Sequence, residues 1–171
     1  MRFRFPISVV YEDFRSENAS GLGIRRLAEA IEAEGMEVLG VTSYGDLSSF
    51  AQQQSRASAF ILSIDDEELA NEEEETIAEL RAFVTEIRLR NAEIPIFLHG
   101  ETRTSRHIPN DVLRELHGFI HMFEDTPEFI ARYVVRESKA YLDSLPPPFF
   151  RALTHYAADG SYSWHCPGHS G

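Results

Sequence analysis

Short apolar runs recur along this chain with amphipathic stretches between them, and that alternation restricts the fold more than any other feature. The runs are "ISVVY" (residues 7–11), "EVLGV" (37–41), "AFILSI" (59–64), "IPIFLH" (94–99) and "GFIHMF" (118–123). They are short and rich in β-branched residues, as expected of strands buried on both faces in a parallel sheet. The stretches between them carry the helical period. "GLGIRRLAEAIEAEG" puts Ile24, Leu27, Ala28 and Ile31 on one face and stops at Gly35, a helix C-cap residue. "TIAELRAFVTEIRLRN" does the same with Ile77, Leu80, Val84 and Ile87. "TPEFIARYVVRESKAYLDSL" opens with Thr126 as cap and Pro127 at the first helical position, and its apolar face includes Ile130, Tyr133, Val134 and Tyr141.

Five strands alternating with five helices give a three-layer α/β sandwich around a five-stranded parallel sheet. At this length the expected fold is flavodoxin-like, with strand order 2-1-3-4-5. "LPPP" at residues 145–148 then ends the last helix, because proline cannot continue one. Two segments follow: residues 1–144 as the α/β domain, and 145–171 as a linker with a short aromatic helix, "FFRALTHYAADG", and the tail "SYSWHCPGHSG".

Charge narrows the partners. The 171 residues carry 28 acids against 16 bases, a net −12 that repels phosphate backbones, so nucleic acid is excluded as a partner. Much of the excess lies in "DDEELANEEEETIAE" (65–79), which reads as the solvated start of a helix, acids there being favoured by the helix dipole. No apolar run reaches the roughly 20 residues of a membrane helix, so no membrane contact is expected. The lone Cys166 forms no internal disulfide, which fits a cytoplasmic location. Lys139 is the only lysine.

An α/β sheet of this kind places its chemistry at the carboxyl ends of its strands. Glu12 and Asp13 follow the first strand there, and Asp65 and Asp66 the third. In this the chain resembles bacterial response-regulator receivers, which hold Mg²⁺ on an acidic pair and phosphorylate an aspartate after strand 3. By position Glu12, Asp13 and Asp65 match. The resemblance also implies a hydroxyl after strand 4 and a lysine after strand 5. His99 or Gly100 stands in the first place, and "MFEDTP" supplies no lysine in the second. A phosphoryl group among these acids would lack its cation, so a receiver-like fold without phosphotransfer is expected.

Gly21 and Gly23 make a partial phosphate-binding loop, but Arg26 occupies the third glycine position, and both read as ordinary loop glycines. His155, His165, Cys166 and His169 are zinc-ligand types whose spacing matches no familiar module, so no metal site is expected. Cys166 has no orienting acid or oxyanion hole nearby in the tail.

The linker and tail resemble the junction of the bacterial ornithine/lysine/arginine decarboxylases, large pyridoxal-phosphate enzymes. In that family an N-terminal flavodoxin-like "wing" is followed by a Leu-Pro-Pro linker, an aromatic helix and a motif that opens the cofactor domain. Leu145, Pro146 and Pro147 match the linker, and Tyr162, Trp164, Pro167, Gly168, His169 and Gly171 match the opening motif. "FEDTPEFIARYVV" is also similar to the family's wing. The resemblance implies a wing that helps assemble catalytic dimers into a larger ring such as a decamer, within an enzyme converting arginine, lysine or ornithine to an amine and CO₂. The remainder of the decarboxylase chain would be its partner. Pyridoxal phosphate would belong to the full-length parent and not to this segment, since the family's Ser-x-His-Lys motif is absent and Lys139 lies in a dissimilar context. No catalytic, cofactor-binding or metal residue is then expected within the segment, and the tail is the beginning of the next domain. Phe149, Phe150, Leu153, Tyr156, Tyr162 and Trp164 fit that view, being too many large side chains for so short a segment to bury alone. The alternative is a stand-alone receiver-like signalling module.

Overall fold

A computed structural model describes residues 6–10, 19–41, 57–64, 66–121 and 124–145. The strands are β1 (Pro6–Val10), β2 (Glu37–Val41), β3 (Ala59–Ser63), β4 (Ile96–Gly100) and β5 (Gly118–His121). The helices are α1 (Ala19–Ala33), α2 (Asp66–Asn71), α3 (Glu73–Arg90), α4 (Asn110–Leu113) and α5 (Pro127–Ser144), with a 3₁₀ turn at Thr102–His107. The strands pair in parallel, in the order β2-β1-β3-β4-β5. The chain is a parallel α/β sandwich with helices on both faces of the sheet, as the alternating pattern requires. The helix expected between β2 and β3 falls on residues outside the described ones.

Period-2 alternation along the central strands divides the core in two. Ala59, Ile61, Phe97 and Ile120 point to one face, where they meet Ile24, Leu27 and Ile31 of α1 and Ile130, Ala131, Val134 and Val135 of α5. Phe60, Leu62, Ile96 and Leu98 point to the other face and meet Leu69 of α2 and Ile77, Leu80, Phe83, Val84 and Ile87 of α3. The residues expected to form the apolar faces of α1 and α3 are all buried. On α5, Ile130, Val134 and Tyr141 are buried and Tyr133 is half-buried, its ring packed edge-on against Phe97 at 5.7 Å.

Both helix ends flagged by residue type behave as their chemistry dictates. Gly35 has φ 93°, the left-handed conformation a C-cap needs, and Met36 N–H donates to the Ile31 carbonyl across it. Thr126 Oγ1 accepts from the Phe129 N–H at 3.3 Å, with Pro127 at the first helical position. Thr126→Ala is therefore expected to cost about 1 kcal/mol, read from the shift of the urea midpoint at unchanged slope.

Three local expectations are corrected. α1 begins at Ala19, so Gly21 and Gly23 lie in its opening turns and not in a loop. β4 begins at Ile96 and not at residue 94, because Asn91 folds the approach back. Its Oδ1 accepts from the N–H groups of Glu93 and Ile94, and Pro95 can give no N–H to a ladder. The acidic run is two helices, α2 and α3, broken at Glu72, and Glu73, Glu74 and Glu75 stand exposed in the first turn of α3 where the dipole favours them.

Arginines of α3 fasten it to α4 and to the segments on either side of β4. Arg81 Nε donates to Asp111 of α4 at 2.8 Å, and both side chains are exposed. Arg88 donates to the carbonyl oxygens of Asn91, Ile94 and Glu115, giving a half-buried cation partners at the end of its helix.

Candidate functional site

The carboxyl ends of β3, β4 and β5 line one rim of the sheet, where this fold places its chemistry. Of the residues expected there, Glu12, Asp13 and Asp65 lie outside the described residues, and Asp66 opens α2. The rim within the described residues is built from Ser63, His99, Gly100 and His121. Parallel registration sets Ser63 opposite His99 and Gly100 opposite His121.

Ser63 and His99 share the face occupied by Ile61 and Phe97, since side chains two apart on a strand point the same way. The Ser63 hydroxyl and His99 Nδ1 stand 3.4 Å apart, and both residues are buried. Burial pushes the His99 imidazole down to about 4, so it is neutral at physiological pH. A neutral imidazole beside a hydroxyl has the first two members of a nucleophilic relay. Among the described residues no third group orients the pair, and only 3% of His99 is exposed, which leaves substrate little access. The pair acts as a polar plug in the upper core, each group satisfying the other.

His121 ends β5, near the place where receivers carry a lysine. Its ring packs against that of Phe119 at a tilt of 49°, the centroids 4.8 Å apart, and its Nδ1 lies 4.0 Å from the Glu124 carboxylate. The sequence alone offers His99 only as a residue standing where receivers carry a hydroxyl. Its pairing with Ser63 joins residues 36 apart in sequence and becomes visible only through the β3–β4 register.

Among the described residues no three His, Cys, Asp or Glu side chains are grouped to hold a metal ion, and no helix is long and apolar enough to cross a membrane. Lys139 lies exposed on the last turns of α5. A cofactor aldehyde held by a lysine needs that amine in a sheltered pocket, so the described residues do not fit pyridoxal phosphate. The tail residues His155, Tyr162, Trp164, His165, Cys166, Pro167, Gly168, His169 and Gly171 fall outside the described ones.

Residues 19–141 match the sequence profile of the Orn/Lys/Arg decarboxylase N-terminal domain. Lysine decarboxylase LdcA of Pseudomonas aeruginosa is 32% identical over 98% of this chain, which covers 22% of that protein. The solved structure of that enzyme matches with a TM-score of 0.73. The biodegradative arginine decarboxylase of Escherichia coli is 30% identical over 88% of this chain and 20% of its own length. The chain thus spans about a fifth of the length of these relatives. A response-regulator receiver domain from Clostridium thermocellum matches with a TM-score of 0.58 at 13% identity, covering 82% of this chain and 99% of the receiver. At that identity the likeness is one of fold alone. Together the profile and the LdcA match establish that the chain belongs to the Orn/Lys/Arg decarboxylase family, of which it carries the N-terminal domain.

Proposed function

We propose that this domain is the wing of a pyridoxal-phosphate-dependent decarboxylase acting on arginine, lysine or ornithine, and that its work is assembly and not catalysis. The observation that carries the reading is the match across 98% of this chain to only 22% of a lysine decarboxylase. Residues 1–144 form the flavodoxin-like wing in this reading. Residues 145–171 form the linker and the opening of the cofactor domain, with Tyr162, Trp164, Pro167, Gly168, His169 and Gly171 as its motif. The remainder of the decarboxylase chain is the partner, and catalytic dimers join into a larger ring, such as a decamer, in the cytoplasm. Pyridoxal phosphate, held by the later domain, supplies the electron sink for loss of CO₂. The wing adds no residue to that chemistry, consistent with a lone lysine exposed on α5.

Two preparations test this. The 171-residue chain mixed with pyridoxal phosphate is expected to show no stoichiometric lysine adduct by absorbance and to release no CO₂ from the three amino acids. The full-length protein is expected to do both. An adduct on the short chain that disappears in Lys139→Ala overturns the reading.

The receiver likeness supports a second reading, a signalling module, because it spans 99% of a receiver domain. Saturable binding of beryllofluoride with Mg²⁺ at the β3 rim would favour it. No change in tryptophan or amide signals on adding both is the result expected of a wing.

A further inference from the structure

α3 and α5 lie on opposite faces of the sheet, and each presents a second, outward stripe. On α5 the buried residues Ile130, Ala131, Val134, Val135, Ser138 and Tyr141 occupy one side. Phe129, Arg132, Arg136 and Ala140 are exposed on the other, at the helical spacing that keeps them in line. Arg136 lies over the Tyr133 ring at 5.2 Å, which holds its guanidinium flat against the helix. On α3 the outward stripe is Glu75, Ala78, Glu79, Ala82 and Leu89, all exposed. Leu89 at 84% and Phe129 at 56% are the most exposed large apolar side chains among the described residues. Aromatic and arginine side chains on such a face are the types that anchor protein interfaces.

The two stripes complement each other in charge and in shape. From residue 66 to residue 90 there are nine acids and three arginines, so α2 and α3 hold half of the net charge of −12. The α5 stripe is basic and bulky, whereas the α3 stripe is acidic with alanines at its centre. We propose that the α5 stripe of one copy docks on the α3 stripe of a second copy, the two helices running parallel. In that orientation one register sets Phe129 on Ala78 and Leu89 on Ala140, each large side chain meeting a small one. The same register brings Arg132 to Glu79, Lys139 to Glu86 and Asp143 to Arg90. Antiparallel docking turns Arg132 and Lys139 toward Arg81 and Arg88 and is repulsive.

α3 and α5 run in the same direction within one domain, since each crosses back over a parallel sheet. A parallel contact therefore relates two copies by little more than a translation. Such a contact is heterologous, with a different surface on each partner, and it closes into a ring when a rotation accompanies each step. This deepens the assembly reading of the wing and rests on it.

The test is made in the full-length protein by sedimentation velocity across a concentration series. Arg132→Glu and Glu79→Arg are each expected to raise the midpoint concentration of higher assembly by about tenfold or more. Combined in one chain, they are expected to restore it to near the parent value. Both sites are exposed, and circular dichroism is expected to be unchanged in each variant. No effect of either reversal, or two losses that do not compensate in the double variant, overturns the proposed contact. Deleting the wing separates the two ideas. If deletion breaks the assembly while the reversals do nothing, the surface is wrong and the assembly role stands. If deletion leaves the assembly intact, the assembly role falls with it.

Discussion

Between pH 6.5 and pH 4 the parent domain is expected to lose about 3 kcal/mol more stability than its His99→Gln variant. The cause is burial of an imidazole at the carboxyl end of β4, which lowers the His99 pKa from 6.5 to about 4. Above pH 6.5 the ring is neutral in both the folded and unfolded chain and the group contributes no pH dependence. As the pH falls below 6.5 the unfolded chain takes up the proton and the folded one does not, so stability drains away. The loss is complete near pH 4, below which both states are charged. A displacement of that size corresponds to about 3 kcal/mol. Glutamine keeps a hydrogen-bonding group beside Ser63 Oγ and removes the titration. The measurement is the urea midpoint of both proteins at pH 7 and pH 4.5. Parallel acid profiles for the two would show that His99 is charged in the folded domain.

Phe97→Ala is expected to cost about 3–5 kcal/mol, the largest effect of any single truncation in this core. Phe97 is fully buried in β4. Its ring meets Tyr133 of α5 edge-on at 5.7 Å and His117, ahead of β5, at 5.4 Å. His117 Nε2 is in turn 3.0 Å from a Glu137 carboxylate oxygen on α5, so the ring sits beneath the tie between β5 and α5. Removing it leaves a cavity where two layers meet, and a strand registered on both sides cannot move in to fill it. Leu89→Ala is the control. Leu89 is 84% exposed, and its loss is expected to change stability by less than about 0.5 kcal/mol. Equal midpoints for the two variants would mean that Phe97 is not part of the core.

The periodic parts of the fold were legible in the sequence because burial there depends on local spacing alone. Ile24, Leu27, Ala28 and Ile31 declare one helix face, and Ile77, Leu80, Val84 and Ile87 another. Gly35, Thr126 and Pro127 mark ends because each residue type suits one backbone conformation. The misplaced features depend on side chains reaching the backbone. Asn91 delays β4 by capping Glu93 and Ile94, and its Nδ2 also donates to the Tyr141 hydroxyl on α5. Hydrophobic patterning is blind to both contacts. The break at Glu72 has one local sign, Asn71 at the end of α2, a helix-ending residue type set between two acidic stretches. The Ser63–His99 pair needs the strand register, which no single segment encodes. Family membership was legible for a different reason. Leu145, Pro146, Pro147 and the Tyr162–Gly171 motif are read as residue types at fixed spacing, whatever their conformation.

The assembly role is tested most directly by weighing the full-length protein with and without residues 1–144, using mass photometry at matched concentration and salt. The expected result is loss of the higher assembly, leaving catalytic dimers that still bind pyridoxal phosphate and still decarboxylate a basic amino acid. A shortened protein that keeps the mass of the complete assembly, in the same number of subunits, contradicts it.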